Sequence, residues 1–393
     1  MSDTNRVSLA YKVESTFGTY VTGNPDFQAL RYTGETLHQE QDTVTSKELR
    51  SDRQIPDIIR TGLRAAGDLN WELSYGAYDD FFEAALMGTW VALATIEAPS
   101  ALVSVDGTTG VITTTGTWDV TPTAGAWIEV RGFTTAANNG YARVTSATTT
   151  TITTAGHAYT TEAAGASVTI TQPSYVRNGT TFRSYNVEKK YEDLATTFAQ
   201  LAGMAVDRMT VTVPVDGIVT GAFGFMGKQE RSAAATLGDG ANTAAPANDV
   251  IAAVDDVDMF QEGLAADSAA TSITAWSLEL ANNLRARLQV GTLGPISIGT
   301  GTCEITGTTQ MYFESVTIMD KFLNDTQSSC AIVFEDSAGN GYVVDIPAIR
   351  YSAGQRNATA INQDVIADLS WRAKLFTPAV GSSYTIHISR IVA

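Results

Sequence analysis

The stretch Asp68-Leu-Asn-Trp-Glu-Leu-Ser-Tyr75 alternates with period two. Leu69, Trp71, Leu73 and Tyr75 fall on one face, and Asp68, Asn70, Glu72 and Ser74 on the other. Successive side chains of an extended chain point to opposite sides, so the pattern predicts a strand with one buried and one wet face. Met209, Val211 and Val213 alternate likewise, and residues 218–226, after Asp216-Gly217, place Gly221, Phe223 and Phe225 on one side. Further strands are predicted over 276–280, 310–318, 330–334, 342–346, 365–371 and 384–392. Helices are few. Asp79 is expected to cap one running to Met87, with Phe81, Phe82, Ala85 and Leu86 inward and Gly88 as its stop. A second is predicted over 194–202, with Leu194, Phe198 and Leu201 on one stripe and Gly203 ending it.

Two regions break this rhythm. Residues 35–66 read as a long loop of mixed charge, the kind that is either functional or disordered. Residues 96–172 are dense in Thr, Ala and Gly with only seven charged positions. They carry strand signals of their own at 127–130, 141–145 and 149–153 and a turn at Asn138-Asn-Gly140. That segment reads as a small inserted β domain, dividing the chain into 1–95, 96–172, 173–235 and 236–393.

Composition narrows the function classes. The 393 residues exceed one average domain, and 44% hydrophobic against 17% charged is compatible with a sizeable β-rich core. A net charge of −17 opposes a phosphate grip through counterion release. Cys303 and Cys330 are too few for a disulfide scaffold and read as small buried hydrophobes. The start of the chain lacks an export-signal pattern, and no apolar run approaches a membrane span, so a chain made in a reducing cytoplasm is expected.

The core outside the insertion shows the same order of features twice. A strand and then a helix at 68–87 are answered at 310–323. Residues 181–188 are answered by 330–335, and 208–213 by 344–351. Asp216-Gly-Ile-Val-Thr-Gly-Ala-Phe-Gly-Phe-Met-Gly-Lys228 stands beside Asp364-Val-Ile-Ala-Asp-Leu-Ser-Trp-Arg-Ala-Lys374. Such ordered recurrence suggests two copies of one unit.

Several segments resemble the tail tube proteins of siphovirus-like, long-tailed bacteriophages: Ser46-Lys-Glu-Leu-Arg-Ser-Asp-Arg-Gln54, Gly67-Asp-Leu-Asn-Trp-Glu-Leu-Ser-Tyr-Gly-Ala-Tyr-Asp79, Ile218-Val-Thr-Gly-Ala-Phe-Gly-Phe-Met-Gly-Lys228, Ser277-Leu-Glu-Leu-Ala-Asn-Asn-Leu-Arg285 and Gly307-Thr-Thr-Gln-Met-Tyr-Phe-Glu314. Within the insertion, Val130-Arg-Gly-Phe-Thr-Thr-Ala-Ala-Asn-Asn-Gly140 is similar to small β modules spliced into virion proteins. The resemblance implies duplicated β-sandwich units with short helices, whose strands join those of neighbours into a ring-shaped β-barrel. It further implies stacked rings, partner tail proteins (tape measure, tail tip and tail terminator) and a genome that passes without specific binding. The location implied is the virion tail, assembled in the host cytoplasm.

Four lumen strands per unit and six units give about 24 strands, a circumference of roughly 150 Å and a backbone diameter of roughly 48 Å. A doubled chain would reach that size as a trimer with pseudo-sixfold symmetry; a hexamer of whole chains is the alternative. The face carrying Asp68, Asn70, Glu72 and Ser74 is the candidate lumen lining, although alternation alone does not say which surface is wet. Lys47, Glu48, Arg50, Asp52, Arg53 and Asp57 are candidates for contact between rings, since paired charges of both signs register a partner. The insertion is expected on the outer surface.

Chemistry of other kinds finds no support in the residue spacing. His38, His157 and His387 lack metal-ligand spacing, and no nucleophile elbow or phosphate loop is present. Asp336-Ser-Ala-Gly-Asn-Gly341 begins like a calcium loop, but Ala338 and Pro347 fall where oxygen ligands are needed, so a hairpin turn is expected. No cofactor and no enzymatic activity are expected. The rival readings are a virion decoration or adhesin-type β protein and a carbohydrate-active enzyme with two carboxylates.

Overall fold

The structure is a computed structural model that describes residues 3–97, 102–194, 196–254, 256–261, 264–265, 272–314, 316–357, 361–378 and 382–392. It is mainly β, with two short α-helices among the described residues. The first half of the chain supplies β1 (Val7–Val13), β2 (His38–Thr45), β3 (Ile58–Glu72), α1 (Asp79–Ala85), β4 (Tyr185–Tyr191), β5 (Phe198–Val213), β6 (Thr220–Gly227) and β7 (Gln229–Ala233). The second supplies β8 (Val257–Gln261), β9 (Ile273–Ala281), β10 (Glu304–Tyr312), α2 (Thr317–Leu323), β11 (Ser328–Glu335), β12 (Gly341–Asn357), β13 (Ile366–Ala373) and β14 (His387–Ile391).

Eight strands pair in the order β2–β3–β6–β5–β9–β10–β13–β12, every neighbour antiparallel. Behind them run two shorter sets, β1–β4–β5–β7 and β8–β11–β12–β14. The long strands β5 and β12 belong to both layers. Their N-terminal halves pair behind and their C-terminal halves pair in the eight-stranded sheet, so each folds a sandwich around itself. Core side chains fill the space between the layers, among them Leu69, Trp71, Met209, Phe223, Leu278, Ile332 and Trp371, with Phe81 and Phe82 of α1.

The same pairing order therefore occurs twice, down to its irregularities. Between β4 and β5 the register slips between Tyr185↔Met204 and Val187↔Leu201. Between β11 and β12 it slips between Ser328↔Ile349 and Cys330↔Ile346. Met204 and Ile349 stand 145 positions apart, as do Leu201 and Ile346. A second bulge, between Val206 and Arg208 in β5, recurs between Tyr351 and Ala353 in β12 at the same spacing. A bulge inserts one unpaired residue and bends its strand, so shared positions bend both long strands at the same point.

Trp71 of β3 lies flat across Gly221 of β6, where a β-carbon would sit 2.2 Å from the indole and 2.3 Å from the Thr210 carbonyl oxygen. Trp371 of β13 lies across Gly307 of β10 with the same two distances, to its indole and to the Ser277 oxygen. Glycine is required at both places for close approach, not for an unusual φ.

Several sequence expectations need correction. The helix predicted over 194–202 is the start of β5. Residues 199–206 are buried on both faces, so alternation vanishes and a helical stripe appears by coincidence. Gly203, expected as a helix stop, sits inside the strand at φ +77° and donates its N–H to Glu14 Oε1 at 2.6 Å. Asp79 is the first residue of α1 and makes no cap; Tyr78 holds the N-cap position. The left-handed residue ending that helix is Met87, at φ 48°, not Gly88. Gly88 instead admits the Arg177 carbonyl, which a β-carbon would meet at 2.2 Å. The strand predicted over 310–318 stops at Tyr312, and Thr317 already belongs to α2.

The described residues between Ala94 and Gln172 build a separate eight-stranded sheet around its own cluster, with Val103, Ile112, Ile128, Ile152 and Ile170 fully buried. A second cluster joins Trp127 to Ala331, Val333, Val343 and Ile391 of the rear layer. Beneath this junction Arg143 Nε approaches Asp345 Oδ2 at 3.4 Å. Tyr384 donates its hydroxyl to the Gly125 oxygen at 2.9 Å. Burial raises the Asp345 carboxyl above its ordinary value, while Arg143 opposes the shift.

Close by, Arg177 Nε donates to His387 Nδ1 at 2.9 Å, which leaves Nε2 as the protonated nitrogen facing Ser389 Oγ at 2.6 Å. A second proton would have to enter between Nδ1 and a guanidinium. Burial, together with Arg177 and Arg143, accordingly holds His387 well below 6.5.

Two predictions follow from these contacts. Gly221→Ala and Gly307→Ala should each lower stability by about 1–3 kcal/mol, because the methyl group overpacks against an indole and a strand backbone; chemical denaturation measures this. Unfolding frees His387 to bind a proton below 6.5, so stability should fall with pH from there, by at most about 1.4 kcal/mol per unit. Asp345, with its raised value, favours the folded state in acid and opposes that slope, so the comparison must be between proteins. His387→Asn should lose less in melting temperature than the wild type between pH 7.5 and 5.5.

Candidate functional site

The surface with functional character is the outer face of the eight-stranded sheet, with its two edges. Asn70 and Glu72 on β3 begin rows that cross the sheet through successive register partners. One passes Asn70, Ala222, Thr210, Glu279, Thr306 and Arg372. The next passes Glu72, Thr220, Thr212, Ser277, Thr308 and Ser370. An open concavity of about 410 Å³ lies over Thr210, Thr212, Ser277, Glu279, Thr308 and Ser370 on the polar side of the sheet.

Hydroxyls dominate the wall. On its six central strands Asp68, Glu72, Glu279, Glu304 and Asp368 outnumber Arg64, Arg208 and Arg372, and Arg208 lies 3.4 Å from Asp68. Ser74 leaves the wet row, being fully buried. The chain near residue 250 returns over it: Ser74 bridges Val250, and Ile251 donates to the Leu73 oxygen at 2.8 Å.

Among the described residues both edges of the sheet lack a strand partner. β2 pairs only with β3, and the part of β12 from Arg350 to Asn357 pairs only with β13. Where the chain enters β2, at Leu37 and Gln39, the outward backbone groups are covered by side chains. Gln39 N–H donates to Glu230 Oε2 at 2.8 Å and Leu37 N–H to Glu35 Oε2 at 2.7 Å. Lys189 Nζ donates to the Leu37 oxygen and pairs with Glu35 Oε2 at 2.6 Å. Sequence reading missed the caps from Lys189 and Glu230 because they lie more than a hundred residues from the groups they cover.

The long loop expected over 35–66 is mostly a hairpin, β2 and β3, and only Ser46 to Asp57 forms its tip. β2 exposes most of both faces, so it carries no hydrophobic alternation to announce a strand. β3 runs past the end of β6, which pairs with it only as far as Ala65. Residues 58–64 therefore project with β2 as an arm of roughly 20 Å.

All six proposed contact residues, Lys47, Glu48, Arg50, Asp52, Arg53 and Asp57, are exposed on that tip. Arg50 binds Asp52 through Nη2 at 2.7 Å and holds its carboxyl below the usual range. Arg53 adopts φ 62°. Apolar side chains share the arm: Val44, Leu49, Ile55, Ile58 and Ile59 are all exposed, Leu49 almost completely. Their spacing in 55–59 was the overlooked signal, since clustered exposed apolar residues mark contact surfaces.

Among the described residues no group of three or more His, Cys, Asp or Glu side chains is placed to hold a metal ion. Asp336, at the start of the suspected calcium loop, accepts from Ala338 N–H and Asn340 N–H, each at 2.9 Å. Its carboxylate closes the hairpin turn between β11 and β12. Burial pushes the Cys303 and Cys330 thiols up to about 11 and about 12, which keeps them from acting as thiolate nucleophiles. No helix of the described residues is long and apolar enough to cross a membrane.

A sequence profile described as phage tail tube protein matches residues 4–373. No curated protein matches the chain.

Lys189→Met should cost roughly 3 kcal/mol in chemical denaturation, because Glu35 and the Leu37 carbonyl lose a buried charged partner. Glu230→Ala, at a less enclosed cap, should cost less than about 1 kcal/mol.

Proposed function

The chain belongs to the phage tail tube family, and we propose that three copies close head to tail into a ring whose continuous barrel is the channel for DNA ejection. Membership makes it a structural component of the phage tail that assembles with itself and other tail proteins. The observation that carries the ring is the eight-stranded antiparallel sheet, with one concave polar face and an open edge at each end.

Eight is an even number, so β2 and β12 run in opposite directions. A second copy related by rotation about the tube axis presents its β2 antiparallel to the first copy's β12. Three copies then give about 24 strands and a bore of the size derived from the family's four strands per unit. The repeated pairing order supports two units per chain and hence the pseudo-sixfold wall. A hexamer of whole chains would double the barrel's circumference and is the alternative.

Asp68, Asn70 and Glu72 line the channel in this arrangement. A wall of hydroxyls with a modest acidic excess gives phosphates few counterion-releasing contacts, so the genome slides. The arm at Ser46–Asp57 reaches the adjacent ring. The insertion lies outside, because it packs on the rear layer, away from the concave face. The tube grows from the tail tip along the tape measure and is capped by the tail terminator, within a siphovirus-like tail. A decoration or adhesin role would leave both sheet edges unused, and no pairing of carboxylates supports a glycosidase.

Negative-stain microscopy with rotational averaging of end-on views tests the reading. Rings or tubes with an open bore and three copies per turn are expected. Replacing Ser46–Asp57 by a two-residue turn should leave rings that do not stack. A compact particle without a bore would refute the proposal.

A further inference from the structure

The chain contains one complete joint between its two repeated halves, and this joint supplies a template for the joint between chains. Inside the chain the last inner strand of the first half, β5, meets the first of the second half, β9. Its register is Arg208↔Ala281, Met209↔Leu280, Thr210↔Glu279 and Val211↔Leu278.

The repeat carries each side of this joint to an open edge. The shared bulges place Arg208 in the position of Ala353, Thr210 in that of Gln355 and Val211 in that of Arg356, again 145 apart. On the other side Gly224 pairs with Asp68 while Ser370 pairs with Thr308, so β3 corresponds to β10. His38 pairs with Ala66 and Glu279 with Thr306, which sets His38 241 positions before Glu279 and Glu40 the same distance before Ala281.

We infer that β12 of one copy pairs with β2 of the next in the register Ala353↔Glu40, Gly354↔Gln39, Gln355↔His38 and Arg356↔Leu37. The inference rests on the ring reading above and names the residues of its interface. Its partner is a second copy of this chain.

Two independent features of the free edges agree with that register. Leu37 and Gln39, the positions of Leu278 and Leu280, turn the backbone groups outward that Glu35, Lys189 and Glu230 now cover. A β-strand arriving there meets donors and an acceptor already facing it, and the three side chains must leave. Charge also matches: Arg356, stacked 5.1 Å from the Phe313 ring, would lie opposite Leu37 and diagonal to Glu35. Diagonal neighbours across antiparallel strands are within reach of long side chains. Glu35 then exchanges Lys189 for an arginine from the neighbour.

Because Leu37 and Gln39 occupy hydrogen-bonded places, His38 and Glu40 stand in the closer, non-hydrogen-bonded pairs, with Cα atoms about 4.5 Å apart. That spacing admits a disulfide. Tubes of the double variant Glu40→Cys with Ala353→Cys, assembled under reductant and then oxidised with diamide, should give a non-reducing gel ladder that ends at a covalent trimer. His38→Cys with Gln355→Cys should give the same ladder and serves if the first pair disturbs Arg64. The wild type, with both native thiols masked, should stay monomeric on that gel.

The shifted pair Glu40→Cys with Gln355→Cys should cross-link weakly, since its Cα separation of roughly 7 Å or more strains the bridge. Tubes in which the shifted pair closes, or in which neither matched pair does, would overturn the register while leaving the ring intact. Absence of rings from the wild type would defeat the ring reading and this inference together.

Discussion

An exposed strand edge is a row of hydrogen-bonding groups that water satisfies only until a better partner arrives. Most soluble β proteins cover, shorten or charge their edges for this reason. Here two edges of one large sheet are kept open, at opposite ends and running in opposite directions. One is masked by Lys189 and Glu230 from the rear layer together with Glu35, and the other is covered by no strand among the described residues. The rest of the molecule can be understood as what is needed to hold eight strands in a curved, single register while those edges wait. The two bulges bend β5 and β12 from the front layer to the rear, and the paired tryptophan and glycine contacts pin the strands between.

Much of the fold was legible because half-buried strands advertise themselves. Leu69, Trp71 and Leu73 against Asp68, Asn70 and Glu72 gave the strand and its buried face, and most features recurring at 310–374 are compatible with the repeated pairing order; the match of 208–213 to 344–351 is not, because the shared bulges put Arg208 in the position of Ala353 and make 344–351 the counterpart of 199–206. Legibility failed where burial was two-sided or absent. Residues 199–206 are buried on both faces and imitated a helix; β2 is exposed on both and imitated a loop. Ser74 followed the period correctly and was nonetheless covered, by a segment that returns from nearly two hundred residues away.

The surface was harder to read than the core. Charged residues at 47–57 drew attention to the arm's tip, but its apolar members, Leu49, Ile55, Ile58 and Ile59, are as exposed as the charges. The caps on β2 were invisible for a different reason. Lys189 and Glu230 acquire meaning only once pairing has brought their remote strands to the edge beside Glu35.

The two halves differ most at their hairpins. The first projects beyond the end of β6. The second, at Arg285–Arg287 and Ser297–Gly299, curls back so that Gly294 lies close against the backbone of Leu63. In the proposed ring the bore would repeat every 60° while the arms recur only every 120°. A docking ring would therefore find three equivalent azimuths instead of six, and a helical tube built this way would keep a threefold exterior around a nearly sixfold interior.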